Sequence, residues 1–175
     1  MSDMLTIDQI LRPQKKELKI YSFNDFIKIV RDTYNMINGD NWGSFIHANP
    51  IQGEIGLKTP TITYLIKEKT PAKLGDRYQI KPGIRTAGLD QDAQQVKTTY
   101  AQRFLYNVEF CIWDQSWEAV LEQGEKFEDF MLAYTGLFKE LGVSELIYAG
   151  ATEETSKASW KTDIVCYSTY YHVYI

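Results

Sequence analysis

Between residues 102 and 112 apolar side chains occupy every second position, and after Asp114 the spacing changes abruptly to three and four. Phe104, Tyr106, Val108, Phe110 and Ile112 fall on one side of an extended chain, while Arg103, Leu105, Asn107, Glu109 and Cys111 fall on the other. A period of two over this length is a strand with one buried face. The next apolar residues, Trp117, Val120, Leu121, Phe127, Phe130, Met131, Tyr134, Leu137, Phe138 and Leu141, follow steps of three, four and six. That is the stripe of one long amphipathic helix. A strand and a helix joined so closely must pack as sheet against helix, and the rest of the chain has to complete those two layers.

The flanking segments supply the remaining pieces. Residues 1–20 read as a weakly structured lead-in, with Pro13 stopping any early turn, and residues 21–175 as a single domain. Ser22 can cap a helix, with Asp25 placed at its positive end. Phe23, Phe26, Ile27, Val30, Tyr34 and Ile37 give that helix an apolar stripe, and Asn38-Gly39 a stop. Residues 59–66 read as a β-branched and aromatic strand, residues 144–150 as a short strand, and residues 162–175 as a long one. The last strand is apolar or aromatic on both faces, which suits a central or interface position. Residues 40–58 are broken by Gly43, Pro50, Gly53 and Gly56 and read as irregular. The expected fold is α+β: an antiparallel or mixed β-sheet with two main helices on one face and a long protruding hairpin or loop over residues 68–99.

That excursion carries an unusual charge pattern. Lys69, Lys73, Arg77, Lys81 and Arg85 are spaced by four, so in an extended or hairpin conformation they would share a face. Such a face could meet phosphates or an acidic protein surface, or simply be a solvated edge that discourages strand pairing. Charge is also uneven along the chain. Up to residue 90 there are 13 basic residues against 10 acidic ones, and from residue 91 onward 6 against 13. An overall charge of −4 argues against a dedicated nucleic-acid binder. The asymmetry fits head-to-tail self-association, in which one face complements a different one, and it fits ordinary surface variation too.

Motifs that carry chemistry are scarce. The two histidines, His47 and His172, belong to no CxxC, HExxH or EF-hand pattern. Cys111 and Cys166 both fall in strands; a cross-strand disulfide and two reduced buried thiols are both compatible with that, and cytoplasmic thiols are the favoured reading. Neither GxSxG nor a phosphate-binding glycine loop is present, although a triad assembled from distant residues stays open. Glu122, Glu125, Glu128 and Asp129 interleave with the helical stripe and read as a solvated face. No catalytic, cofactor-binding or metal residue is assigned, and an enzyme is not expected. No apolar run approaches the roughly 20 residues of a membrane span, and the acidic N-terminus does not look like a secretory leader.

From residue 59 to the end, the order and flavour of the elements resemble the bacteriophage tail-terminator and head-to-tail joining (neck) proteins. The residues that carry the resemblance are Thr59-Pro60-Thr61-Ile62-Thr63-Tyr64, the strand Phe104-Leu105-Tyr106-Asn107-Val108-Glu109-Phe110 and the helix end Tyr134-Thr135-Gly136-Leu137-Phe138. The strand Glu145-Leu146-Ile147-Tyr148 and the tyrosine-rich run 168–174 complete it. The resemblance implies a small α+β structural protein without an active site that assembles into rings, commonly hexamers, at the tail end or head–tail junction. It implies other tail or neck proteins as partners and the virion as location, after assembly in the host cytoplasm. Interface positions expected from the residues themselves are Lys69, Lys73, Arg77, Lys81 and Arg85 on the excursion, with Tyr170, His172 and Tyr174 on the last strand. A basic excursion facing the lumen would also touch DNA transiently. The alternative is a protein-binding module that uses the tyrosine-rich strands as its surface.

Overall fold

A computed structural model of the chain describes residues 19–39, 45–47, 60–74, 77–78, 83–90, 95–154 and 165–175. Helix α1 (Phe23–Asn38) starts as its sequence predicts. The Ser22 hydroxyl accepts from the Asp25 N–H at 3.2 Å while the Asp25 carboxylate accepts from the Ser22 N–H at 2.9 Å, a reciprocal capping box. Phe23, Phe26, Ile27, Val30 and Tyr34 are buried along its stripe, and Ile37, the last expected member, is exposed.

The short strand β1 (Phe45–His47) precedes β2 (Thr61–Pro71), and the long alternating stretch forms β7 (Phe104–Asp114). Helix α2 (Trp117–Ala133) follows, capped by the Ser116 hydroxyl on the Ala119 N–H at 3.1 Å. The single long helix expected to run through residue 141 is instead two segments. Tyr134 leaves helical geometry (φ −97°, ψ 6°), and the Thr135 hydroxyl donates back to the Met131 carbonyl at 2.8 Å. This back-bonding locally competes with the helix ladder. Helix α3 (Thr135–Leu141) then ends at Gly142, whose φ of 130° only glycine adopts readily. A Cβ there would meet the Ile20 carbonyl oxygen at 2.6 Å, and Ile20 donates its N–H to Leu141 at 2.7 Å. The chain closes with β8 (Glu145–Glu154) and β9 (Val165–Tyr174).

Five strands form one mixed sheet in the order β1-β2-β7-β9-β8. β1 runs parallel to β2, and the β2–β7, β7–β9 and β9–β8 pairs are antiparallel. β9 is therefore interior, as its two-sided apolar pattern predicts. Register puts Ile62, Phe110 and Ile112 with Tyr171 and Val173 on the face that both main helices cover. Rings bind those layers. Phe23 stacks on Tyr106 at 5.0 Å, Phe127 lies 5.1 Å from Phe110, and Tyr34 meets Phe130 edge-on at 4.9 Å. Each fully buried ring of this kind contributes roughly 1.5–3 kcal/mol.

Four sequence expectations change here. β1 lies in the stretch read as irregular, because three residues are too short to show a period. β2 does not stop at Ile66 but continues to Pro71 through a register shift between Ile66 and Glu68, so residues 68–71 belong to the main sheet. Beyond them the excursion, expected as one long hairpin or loop, holds two antiparallel strand pairs. Strands β3 (Lys73–Leu74) and β4 (Arg77–Tyr78) pair with each other, and β5 (Gly83–Asp90) pairs antiparallel with β6 (Gln95–Ala101), each as a separate two-stranded sheet. The strand expected over residues 144–150 runs on to Glu154, so the polar turn expected at residues 151–161 begins inside β8; its residues 155–161 and residues 1–18 of the lead-in lie outside the described residues.

Candidate functional site

The far face of the sheet is buried over β2, β7 and β9, and it is polar. Thr61, Thr63, Glu109, Cys111, Trp113, Cys166 and Ser168 all lie there without solvent contact of any size. The Trp113 indole N–H donates to the Thr63 hydroxyl at 2.9 Å. Both cysteines are free thiols, and the Ser168 oxygen sits between them, 3.5 Å from the Cys111 sulfur and 3.8 Å from the Cys166 sulfur. Alternation placed Cys111 and Glu109 on this face; what it could not supply was the burial.

Glu109 is the most demanding residue of this face, a carboxylate with 0% exposure. Lys67, on the shifted part of β2, brings its ammonium to 2.6 Å from Oε2, and the Tyr170 hydroxyl donates to Oε1 at 3.0 Å. The Thr152 hydroxyl on β8 lies 3.3 Å from the Tyr170 oxygen, so the chain of contacts spans four strands. Both carboxylate oxygens are committed to cross-strand partners, which makes Glu109 a tie between strands. Among the described residues no group of three or more His, Cys, Asp or Glu side chains could hold a metal ion, and no helix is long and apolar enough to cross a membrane.

A second feature opens to solvent on the helix face. An open groove of about 290 Å³ runs between α2 and the sheet's outer strand β8. Leu132, Met131 and Thr135 line one wall, Leu146 and Tyr148 the other, with Glu128 and Asp129 at the rim. Leu132 is 77% exposed and Tyr148 51% exposed, unusual values for large apolar side chains that face each other across a cleft. Glu128 holds the floor in place, accepting from Tyr167 at 2.9 Å and from Tyr148 at 3.3 Å. Burial, then this carboxylate, push the Tyr167 hydroxyl well above its ordinary pKa; Tyr148 moves the same way.

The residues expected at an interface are dispersed. Lys69 is in β2 with its ammonium over the Phe104 ring, 4.3 Å from its centre, and near Tyr106 at 5.2 Å. Lys73 is in β3, Arg77 in β4 and Arg85 in β5, so the four-residue spacing is divided among four strands; Lys81 lies outside the described residues. Tyr170, His172 and Tyr174 share the far face of β9, half-buried, opposite Glu109, Asn107 and Leu105. His47 packs its ring 5.2 Å from Tyr64. The groove was missed because its walls come from elements distant in sequence. The signal for it was Leu132, an apolar residue off the helix's buried stripe and 77% exposed.

The two sides of the sheet differ in charge. β8 holds Glu145, Glu153 and Glu154 with no basic residue, and with α2 and α3 it makes a region, 117–154, of nine acids against two bases. Toward the β1 side, β2 holds Lys67 and Lys69 with Glu68. The chain matches no protein-family model, and no curated protein matches it.

Proposed function

We propose that this chain is a structural subunit that closes into a ring by head-to-tail self-association, at the tail end or head–tail junction of a bacteriophage particle. The observation that carries the reading is an imbalance of charge along the strand order: nine acids against two bases over residues 117–154, which include the outer strand β8, and Lys67 and Lys69 against Glu68 on β2, toward the β1 side. A subunit with unlike, complementary sides associates heterologously, and repetition closes a ring when the rotation per subunit closes. The phage assignment rests on the resemblance in element order between residues 59 and 175.

In this reading the helix-on-sheet core is a rigid wedge, its layers held by interlocked rings and its far face by the Lys67–Glu109–Tyr170 tie. The β5–β6 hairpin reaches the lumen or the adjoining ring. The test is the solution mass of the purified 20.3 kDa chain by light scattering across a concentration series, with negative-stain images of the largest species. Discrete closed rings at an integral multiple of the subunit mass are expected. A chain that stays monomeric alone and also when mixed with purified tail tubes and necks would overturn the reading.

A further inference from the structure

We propose that the groove between α2 and β8 receives the chain's own lead-in, with Ile10 and Leu11 seated between its walls and Arg12 at Asp129. This docking is independent of ring closure. The groove calls for an occupant of defined chemistry. Its walls are apolar, Met131 and Leu132 against Leu146 and Tyr148, with the Tyr171 ring 5.6 Å from that of Tyr148. Leu132 and Tyr148 are both exposed, and covering such facing apolar surfaces is favourable.

Charge narrows the choice. Glu128 at the rim already accepts from Tyr148 and Tyr167. Asp129 beside it is exposed, and among the described residues no cation pairs with it. The two bases of residues 117–154 are Lys126 and Lys139, and Lys126 is held by Glu122 at 2.6 Å. The groove therefore fits apolar side chains followed closely by a base. The lead-in has that pattern: Ile10 and Leu11 precede Arg12, Lys15 and Lys16, and residues 9–16 hold no acid.

The point of attachment selects the chain's own segment. Ile20 is buried, and its N–H donates to the Leu141 carbonyl at 2.7 Å, at the end of α3. There the chain turns from α3 into β8, the two elements that bring Thr135 and Leu146 to the groove. Leu132 stands nine residues before Leu141, at most about 14 Å along the helical backbone. Leu11 stands nine residues before Ile20, and a chain of that length spans up to about 30 Å. The tether thus reaches the groove with slack and holds Ile10 and Leu11 near it at a roughly millimolar local concentration. A neighbour's lead-in or a foreign basic peptide offers the same chemistry without that attachment.

The experiment is cysteine pairing in the full chain, with bridges located by peptide mass mapping. Under brief treatment with oxidised glutathione, L11C with L132C should bridge within one molecule at least tenfold faster than L11C with K28C, a control at an exposed position of α1 eight residues after Ile20. The native Cys111 and Cys166 are buried. Adding R12E to the L11C–L132C pair should slow bridging at least fivefold, and adding D129R to that variant should restore it. Trypsin gives a second measurement without new cysteines: L132E should be cut after Lys15 and Lys16 at least threefold faster than wild type, with far-UV circular dichroism unchanged. Bridging at the control rate, a charge exchange that restores nothing, or cleavage that L132E leaves unchanged each overturns the proposal. So does a bridge that joins two molecules and fades on dilution, which gives the groove to a neighbour's lead-in. Whether rings form bears on the preceding reading alone.

Discussion

Lys67 places its ammonium 2.6 Å from Oε2 of Glu109, bridging the register shift in β2 to a carboxylate that no solvent reaches. Desolvating a carboxylate is costly, and here the cost is offset by a cation and by the Tyr170 hydroxyl at 3.0 Å. Lys67 is itself 49% exposed, so its own desolvation is partial. Replacing it with methionine leaves the buried charge without its cation. The expected loss is on the order of 2 kcal/mol, below the about 3–5 kcal/mol of fully buried pairs. K67M with E109L should recover most of that loss in urea denaturation. If K67M alone leaves the midpoint unchanged, the ion pair does not hold the strands.

Two glycines in the helical region should respond to alanine in opposite directions. Gly124 lies on α2 against Tyr167, and an added Cβ would come within 2.5 Å of a ring carbon. That ring cannot swing away cheaply, because its hydroxyl is held by Glu128 at 2.9 Å. Overpacking should outweigh the helix-propensity gain and leave G124A less stable by about 1–2 kcal/mol. Around Gly136 on α3 nothing lies within 4 Å of the added carbon, so G136A should gain up to about 1 kcal/mol. Thermal midpoints of the two variants decide it; movement in the same direction would show that the Tyr167 contact is not what limits position 124.

What could be read from sequence was local. The period of two in β7 and the stripes of α1 and α2 follow from single side chains meeting one core, and the structure buries Val108, Phe110, Phe127 and Met131 accordingly. β1 was not legible, since a three-residue parallel strand is made by its partner β2 and leaves no period of its own. The break at Tyr134 depends on a threonine hydroxyl choosing a backbone carbonyl, and apolar spacing is blind to that. For the site the difference is sharper. Glu109 alternated correctly onto the far face, yet its burial and its pairing with Lys67 require knowing that the strand register shifts after Ile66. Of the expected interface residues, spacing by four identified the basic segment but not the strands that divide it.

The start of α1 offers a direct check on local coding. Ser22 and Asp25 exchange side-chain and backbone hydrogen bonds, at 3.2 Å and 2.9 Å, across the first turn. S22A removes the acceptor for the Asp25 N–H and should cost about 1 kcal/mol. Because α1 carries Phe23 and Phe26 into the core, the loss should register in global unfolding as well as in helix fraying. A denaturant midpoint equal to wild type would mean that the helix is positioned by its rings alone.

Alkaline pH should destabilise the fold through its buried tyrosines. Burial is the first cause raising the pKa of Tyr34, Tyr167 and Tyr171 above the ordinary 10.0, and the Glu128 carboxylate adds to the effect at Tyr167. A hydroxyl whose folded pKa lies above its unfolded value contributes stability that is complete below the unfolded pKa. Above about pH 10 the unfolded chain releases these protons while the folded chain keeps them, so the folding equilibrium shifts toward unfolding as pH rises through that range. Urea midpoints should be level up to about pH 9 and fall steadily toward about pH 11. Y167F should start lower at neutral pH, having lost its hydrogen bond to Glu128, and fall less steeply. A wild-type midpoint that stays level to about pH 11 would mean that these hydroxyls ionise as freely in the fold as in the open chain.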